Sequence, residues 1–273
     1  MPNNERMTEL MQTLENGVRE VFSTDRYQEW LNVQSRFHHY SFNNTILILM
    51  QKPDATQVAG YKTWKNKFNR QVRKGEKGIS ILAPMMYKKT KDNGDEVTVL
   101  GGFKYVNVFD VSQTEGDDLP SITNKITTED HSDILQYLQN YAASKQLNLK
   151  TYTTGKRGNG YYNHVENEIG LLDTLALDHK VKTLAHELAH YHTWSEDQPY
   201  AEGEMVAESV AYVVCQHIGL DTSDYTFGYV AAWSGKEENV DRLKDVAQQV
   251  QKTASILIQA IETEQKKTTK KTA

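Results

Sequence analysis

The chain is short of cysteine, of proline and of long apolar runs, and each shortage removes a class of explanation. Cys215 is the one cysteine among 273 residues. A disulfide framework is therefore excluded, and a reducing compartment is the natural setting. The residue sits in the apolar stretch ESVAYVVCQHI, where a thiol serves as a small buried hydrophobe. The apolar run Ile46–Met50, ILILM, is far too short to span a bilayer, so no membrane role is expected. The opening MPNNERMTELMQ is polar and lacks the apolar core of a secretory signal. These features lead us to expect a soluble, cytoplasmic protein. The net charge of -5 argues against the chain as a whole being a nucleic-acid binder.

What is present divides into two halves. Residues 5–22 carry Met7, Leu10, Met11, Leu14, Val18 and Val21 at helical spacing. A second helix is expected over 25–39, and SFNNTILILMQKP reads as a capped, buried apolar segment stopped by Pro53. From 58 to 112 the pattern changes to strands and a hairpin turning at KDNGDE. The polar, acidic stretch 113–130 reads as a linker. Helices are expected again near 130–146, from an N-cap at Asp178, over 201–218 and over 237–265, with a short strand pair around YYNHVENEIGL. The basic tail is expected to fray. The expected architecture is α+β in two domains: 1–116 with a mixed sheet and flanking helices, a linker at 117–129, and 130–273.

The back half contains His186-Glu187-Leu188-Ala189-His190. Residues four apart share a helix face, so His186 and His190 can offer two imidazoles to one ion. Glu187 then stands beside that ion as a general base, which is the arrangement of a zinc hydrolase. Leu184, Ala185, Leu188 and Ala189 around it are apolar or small, the signature of a buried helix. YAEGEMVAESVAY supplies a third ligand: Glu204 and Glu208 share a face, with Glu204 the candidate ligand and Glu208 the outer partner or the alternate ligand. Glu202 is expected to be solvated. Tyr225 and Tyr229 could reach the site, but packing with Trp233 is the preferred reading. Zinc is the expected ion and manganese the alternative.

The front half is locally basic. Between Lys52 and Lys91 stand eleven Lys or Arg against Asp54 and Glu76, interleaved with Tyr61, Trp64, Phe68 and Tyr87. Cations tracking phosphates beside stackable rings describe a single-strand nucleic-acid surface. From composition alone a solvated basic face over an aromatic core is an equal reading. RQVRKGEKGISILAP adds two glycines in a basic loop before a strand, which lets backbone approach a phosphate.

These residues carry a resemblance. RFHHYSFNNTILILMQKPDATQVAGYKTW, RQVRKGEKGISILAP and FKYVNVFDVSQTEG resemble the N-terminal domain of the ArdC antirestriction family, through Ser41 with Asn44, Gln51, Pro53, Trp64, Val72, Lys74, Gly75 and Gly78. HELAH, EMVAE and YVAAW resemble the zincin-like metallopeptidase domain of that family. The resemblance implies a single-stranded-DNA-binding domain joined to a zincin-like domain. It implies a bacterial protein of a conjugative plasmid or other mobile element, carried into the recipient and protecting incoming DNA from host restriction. The candidate DNA contacts are Trp30, Arg36, Tyr40, Ser41, Asn44, Gln51, Lys62, Trp64, Lys67, Arg70, Arg73, Lys74 and Lys77. The expected partners are single-stranded DNA and an unidentified protein substrate, a host restriction or DNA-processing protein. The competing expectation is a protective DNA-binding protein whose metal site is structural or vestigial. Nuclease action is disfavoured, because the clustered acids of a two-metal site are missing.

Overall fold

The computed structural model describes residues 2–21, 26–91, 95–119, 131–153, 158–221 and 240–272. The protein is α+β. It divides into two compact units, Met1–Val21 with Phe42–Pro120, and Phe22–Ser41 with Ser121–Ala273. The sequence boundary at 116 keeps 25–39 with the front half, whereas its contacts place helix α2 (Arg26–Arg36) in the second unit. Burial is the reason. Tyr27, Trp30 and Leu31 are sealed from solvent, the Tyr27 hydroxyl lies 2.8 Å from Ser209 Oγ, and the Tyr212 hydroxyl donates to Asn32 Oδ1 at 2.7 Å.

In the first unit, α1 (Pro2–Val21) buries Leu10, Leu14, Val18 and Val21. It crosses α3 (Phe42–Gln51) at Gly17, where a Cβ would stand 2.7 Å from Ile46 and Met50. A three-stranded antiparallel sheet runs β1-β4-β3, with β1 Val58–Gly60, β3 Ile79–Thr90 and β4 Glu96–Asp110. Strands β2 (Arg70–Val72) and β5 (Thr114–Gly116) pair separately. Residues 92–94 of the expected hairpin turn lie outside the described residues, but β3 and β4 pair from Ile79↔Val108 to Thr90↔Glu96. The strand pattern missed one helix, α4 (Tyr61–Phe68), which ends at Asn69 in the left-handed region, φ 49°, a conformation asparagine tolerates. Asp110 is buried and accepts from Thr56 N, Gln57 N and Ser112 N at 2.7–3.0 Å. Burial opposes its charge, but these bonds prevail and hold the carboxyl below its usual range.

Two amides on α3 finish the sheet. Strand β3 is an edge, and unpaired edge groups invite unwanted pairing. Asn44 donates to Leu82 O and accepts from Leu82 N, both at 2.9 Å. One stretch further along the helix, Gln51 donates to Ser80 O at 2.8 Å and accepts from Ser80 N at 2.9 Å. The side chains thus act as a substitute strand.

In the second unit, α5 (Ser132–Ser144), α6 (Leu177–Thr193), α7 (Tyr200–Ile218) and α8 (Val240–Thr272) pack together, and α2 packs on α7. A sheet of order β6-β8-β7 lies against α6, with β6 Asn148–Tyr152, β7 Gly160–Asn163 and β8 Glu168–Leu172. Strands β6 and β8 are parallel, β7 and β8 antiparallel. Helix α7 is buried nearly all round, from Met205 to Cys215. Two expectations are corrected here. Asp178 does not cap α6: the cap is Ala176, and Asp178 lies within the first turn, 2.8 Å from His131 Nδ1. Glu202 is not solvated: it is buried and accepts from Arg242 Nε at 2.6 Å. The basic tail continues α8 to Thr272. No described helix is long and apolar enough to cross a membrane.

Asn44→Ala removes both bonds to Leu82 and leaves half-buried backbone groups unpaired. It should cost about 1–3 kcal/mol, lowering the melting temperature by several degrees in a thermal scan. An unchanged melting temperature would refute the edge role.

Candidate metal centre

Helix α6 presents His186 and His190 one turn apart, with their Nε2 atoms 3.1 Å from each other. Facing them from α7 is Glu204. Its Oε2 lies 3.5 Å from His186 Nε2 and its Oε1 3.4 Å from His190 Nε2. The three donors form a group that could hold a metal ion. Glu208, one turn on, approaches the other ring nitrogen: its Oε2 is 3.1 Å from His186 Nδ1, while its Oε1 pairs with Lys182 Nζ at 3.2 Å. Nδ1–H then donates to Glu208, which leaves the Nε2 lone pair turned toward His190 and Glu204. Of the two acids left open by spacing, Glu204 therefore stands at the converging edge and Glu208 behind the ring.

The donor set fits a divalent cation. Two imidazole nitrogens and one carboxylate oxygen suit zinc and tolerate manganese. The electrostatics agree. Burial opposes a charge on His186, yet the hydrogen bonds to Glu204 and Glu208 and the nearby Glu187 raise it to about 9. Hydrogen bonds from both histidines hold Glu204 well below the usual carboxylate range. Unloaded, the site stores a proton where a cation would otherwise sit.

Glu187 is buried, and desolvation raises its pKa against the opposing pull of His186 and His190. Strand β7 passes close over it. A Cβ on Gly160 would stand 2.9 Å from Glu187 Oε1 and 2.5 Å from Thr183 Cγ2, so glycine is needed for the strand to come this near. A cavity of about 720 Å³ opens over the three donors and Glu187, walled by Gly160, Tyr161 and Tyr162 of the β7 edge. Across it His164 and Trp194 stack, ring centroids 3.9 Å apart. Tyr161, Tyr162 and His164 belong to the strand pair read from YYNHVENEIGL, whereas spacing rules missed Gly160 and Trp194; the glycines of GNGYYN just before that stretch are the signal that could have found Gly160. His192 points elsewhere, its Nε2 2.8 Å from the Tyr141 hydroxyl. Tyr225, Tyr229 and Trp233 lie outside the described residues.

The candidate DNA residues separate into groups. Trp30 and Trp64 are buried, and Trp64 Nε1 donates to Phe109 O at 2.8 Å; neither offers a face to a base. Trp30, Arg36, Tyr40 and Ser41 belong to the second unit. Arg36 is exposed, with Nε donating to Asn32 O at 3.2 Å; Tyr40 is half-buried against Phe37, and Ser41 is exposed. Asn44 and Gln51 are spent on the β3 edge. Arg70 donates to Thr114, Gly116 and Asp117, and Arg73 to Glu76 and Ser112. These two guanidinium groups fasten the chain around β5, Arg73 while still exposed. Lys62, Lys67, Lys74 and Lys77 remain exposed, on α4 and the β2–β3 loop.

Residues 3–118 match the family model described as the N-terminal domain of anti-restriction factor ArdC. The chain is 26% identical to the uncharacterized protein pXO2-81 of Bacillus anthracis, over 94% of its own length and 51% of that protein; it spans about half the length of this curated relative. Two crystal structures of the antirestriction ArdC protein from the R388 plasmid share its fold. The Mn(II)-bound form superposes with a TM-score of 0.57 at 19% identity, covering 91% of this chain and 97% of that one. The metal-free form gives 0.51 at 21% identity, covering 81% and 85%. The chain is thus ArdC-like: residues 3–118 match the model of the N-terminal domain of anti-restriction factor ArdC, and the chain has the fold of the R388 protein along most of its length.

Proposed function

We propose that this ArdC-like chain binds single-stranded DNA through its first unit and carries a metallopeptidase-like centre in its second, protecting incoming DNA from restriction. The observation that carries the centre is the convergence of His186 Nε2, His190 Nε2 and the Glu204 carboxylate beside a buried Glu187. A divalent cation held there supplies Lewis acidity and a water of pKa about 7. That the R388 protein has an Mn(II)-bound structure supports a divalent cation as the ligand; zinc is our first choice for this chain.

The chain's own residues do the rest. Glu187 takes a proton at its carboxylate and returns it to the leaving amine, and its raised pKa suits a group that must do both near neutrality. Glu208 fixes the His186 ring through Nδ1, as outer partners of ligand histidines do. The β7 edge lets an extended peptide lie along Gly160–Asn163 as an added strand, and Trp194 and Tyr200 give the cavity exposed apolar contacts. The substrate we favour is an unstructured segment of a DNA-bound host protein. Linking the two units in one chain raises the effective concentration of the centre near such targets. For the first unit, the family match over 3–118 and the exposed lysines of α4 and the β2–β3 loop support the DNA reading.

Glu187→Gln should abolish cleavage in a mass-spectrometric comparison of host proteins with and without single-stranded DNA, while cation and DNA binding persist. Cleavage by the variant sinks the catalytic assignment; protection without any cleavage would favour a purely protective DNA-binding protein. Because the unloaded site holds a proton on His186 up to pH about 9, cation uptake must expel it. Affinity should rise about tenfold per pH unit from 7 and flatten above that value, with about one proton released per ion. Calorimetry in buffers of different ionisation heat checks both. Replacing Lys62, Lys67, Lys74 and Lys77 with Ala should weaken DNA binding uniformly across sequences and make its salt dependence shallower by about 0.7 per lost phosphate contact. An unchanged slope in salt titrations would place the DNA surface elsewhere.

A further inference from the structure

A second histidine cluster lies in the second unit and shares no residue with the first. His38 follows α2, His217 ends α7 and Glu262 lies on α8. Their donor atoms fall within 4.8 Å of one another. His38 is 4% exposed, and neither of its ring nitrogens has a hydrogen-bond partner. Burying an imidazole with both nitrogens unsatisfied is costly, and such exceptions call for a reason.

The geometry supplies one. His217 Nδ1 lies 3.0 Å from Ser35 O. A carbonyl can only accept, so Nδ1 carries the proton and Nε2 holds the lone pair. That Nε2 stands 3.7 Å from Glu262 Oε1, and His38 Nε2 stands 3.6 Å from the same oxygen. These separations are long for hydrogen bonds. They are close to the spacing of about 3.3–3.5 Å between ligand atoms that each sit about 2.0–2.1 Å from a tetrahedral ion. The two rings meet edge-on, centroids 4.9 Å apart, so their nitrogens can converge without stacking. The Ser35 bond is the outer support that ligand histidines usually have. Glu262 is half-buried, which leaves a side open for the ion and a fourth, solvent ligand.

We propose that His38, His217 and Glu262 form a second site for a divalent transition-metal cation of the zinc type, which ties the turn after α2 and the end of α7 to α8. Two imidazoles and a carboxylate are the donor chemistry that zinc prefers. The role is structural: the site joins segments far apart in sequence, and ligation would satisfy one of the two orphaned His38 nitrogens.

The full chain carrying His190→Ala, which disables the first centre, should retain about one zinc ion per chain after loading and desalting, measured by elemental mass spectrometry. Zinc should also raise its melting temperature. Adding Glu262→Gln, which keeps the size of the side chain, should weaken zinc binding by more than the roughly 100-fold that loss of an outer partner alone can cost, and cancel the thermal shift. In chelator the two variants should melt together. The proposal is overturned if His190→Ala holds no zinc, or if Glu262→Gln leaves the retained zinc in place. It is equally overturned if Glu262→Gln lowers the melting temperature as much in chelator as in zinc, since Glu262 would then be a packing residue only. Because the first centre is disabled in every arm, the outcome does not depend on whether that centre performs chemistry.

Discussion

Two imidazole nitrogens turned toward each other at 3.1 Å cannot both present lone pairs without something positive between them. That constraint organises the second unit. It requires α6 and α7 to lie in one register, close enough for a glutamate on one helix to reach both rings on the other. Small residues permit the approach: Ala185 and Ala189 on α6 and Ala207 and Ala211 on α7 are fully buried. The paired acids are placed by the same rule that places the histidines. Glu204 and Glu208, like His186 and His190, are four apart, so one turn of α7 faces one turn of α6. Strand β7 then closes over Glu187, at a distance only Gly160 allows. Removing water from Glu187 raises its pKa, which ties the packing of a strand to the acid–base character of the site.

The part of this visible in the sequence was the part carried by local periodicity. HExxH on a helix and the acid pair that begins fourteen residues after His190 follow from turn spacing. Spacing could not say which acid ligates, because both lie on one face. What distinguishes them is the ring nitrogen each one meets, a matter of how two helices cross. Tyr225 and Tyr229 were not located, since they lie outside the described residues. The helical pattern over 25–39 was legible, but its membership was not. Amphipathicity says that Tyr27 and Trp30 are buried, not against which partner, and the hydroxyl bonds to Ser209 and Asn32 assign them to the second unit. Helix α4 escaped notice because its eight residues contain little but lysine and aromatics, and only Trp64 is buried.

In the first unit, several motif residues serve the fold itself. The Ser-x-x-Asn and Gln-x-Pro elements read as polar groups available to DNA, yet Asn44 and Gln51 give their amides to β3. An amide offers a donor and an acceptor in the geometry of a peptide group, and two of them seven residues apart on α3 meet alternate residues of a strand. The arginines follow the same logic. A planar fork is suited to several carbonyls at once, and Arg70 and Arg73 are used that way around β5. Lysines, with flexible stems and single charges, are what remain for phosphates. Counting positive residues in the sequence therefore takes no account of the hydrogen bonds that already engage Arg70 and Arg73.

The two histidine clusters show opposite ways of preparing a cation site. Around His186 the carboxylates are in excess, so the unloaded centre takes up protons and a cation must displace them. Around His38 burial comes first: desolvation, with His217 and His39 adding repulsion, lowers its pKa to about 3, so no proton can stand in for a cation near neutrality. One site exchanges a cation for a proton and answers to pH. The other exchanges a cation for an unsatisfied polar group and answers to the fold around it. An exchangeable site belongs where substrate and solvent must come and go, as in the cavity beneath β7. A site loaded by relief of a buried cost belongs where helices must stay together, and the meeting of α2, α7 and α8 is such a place.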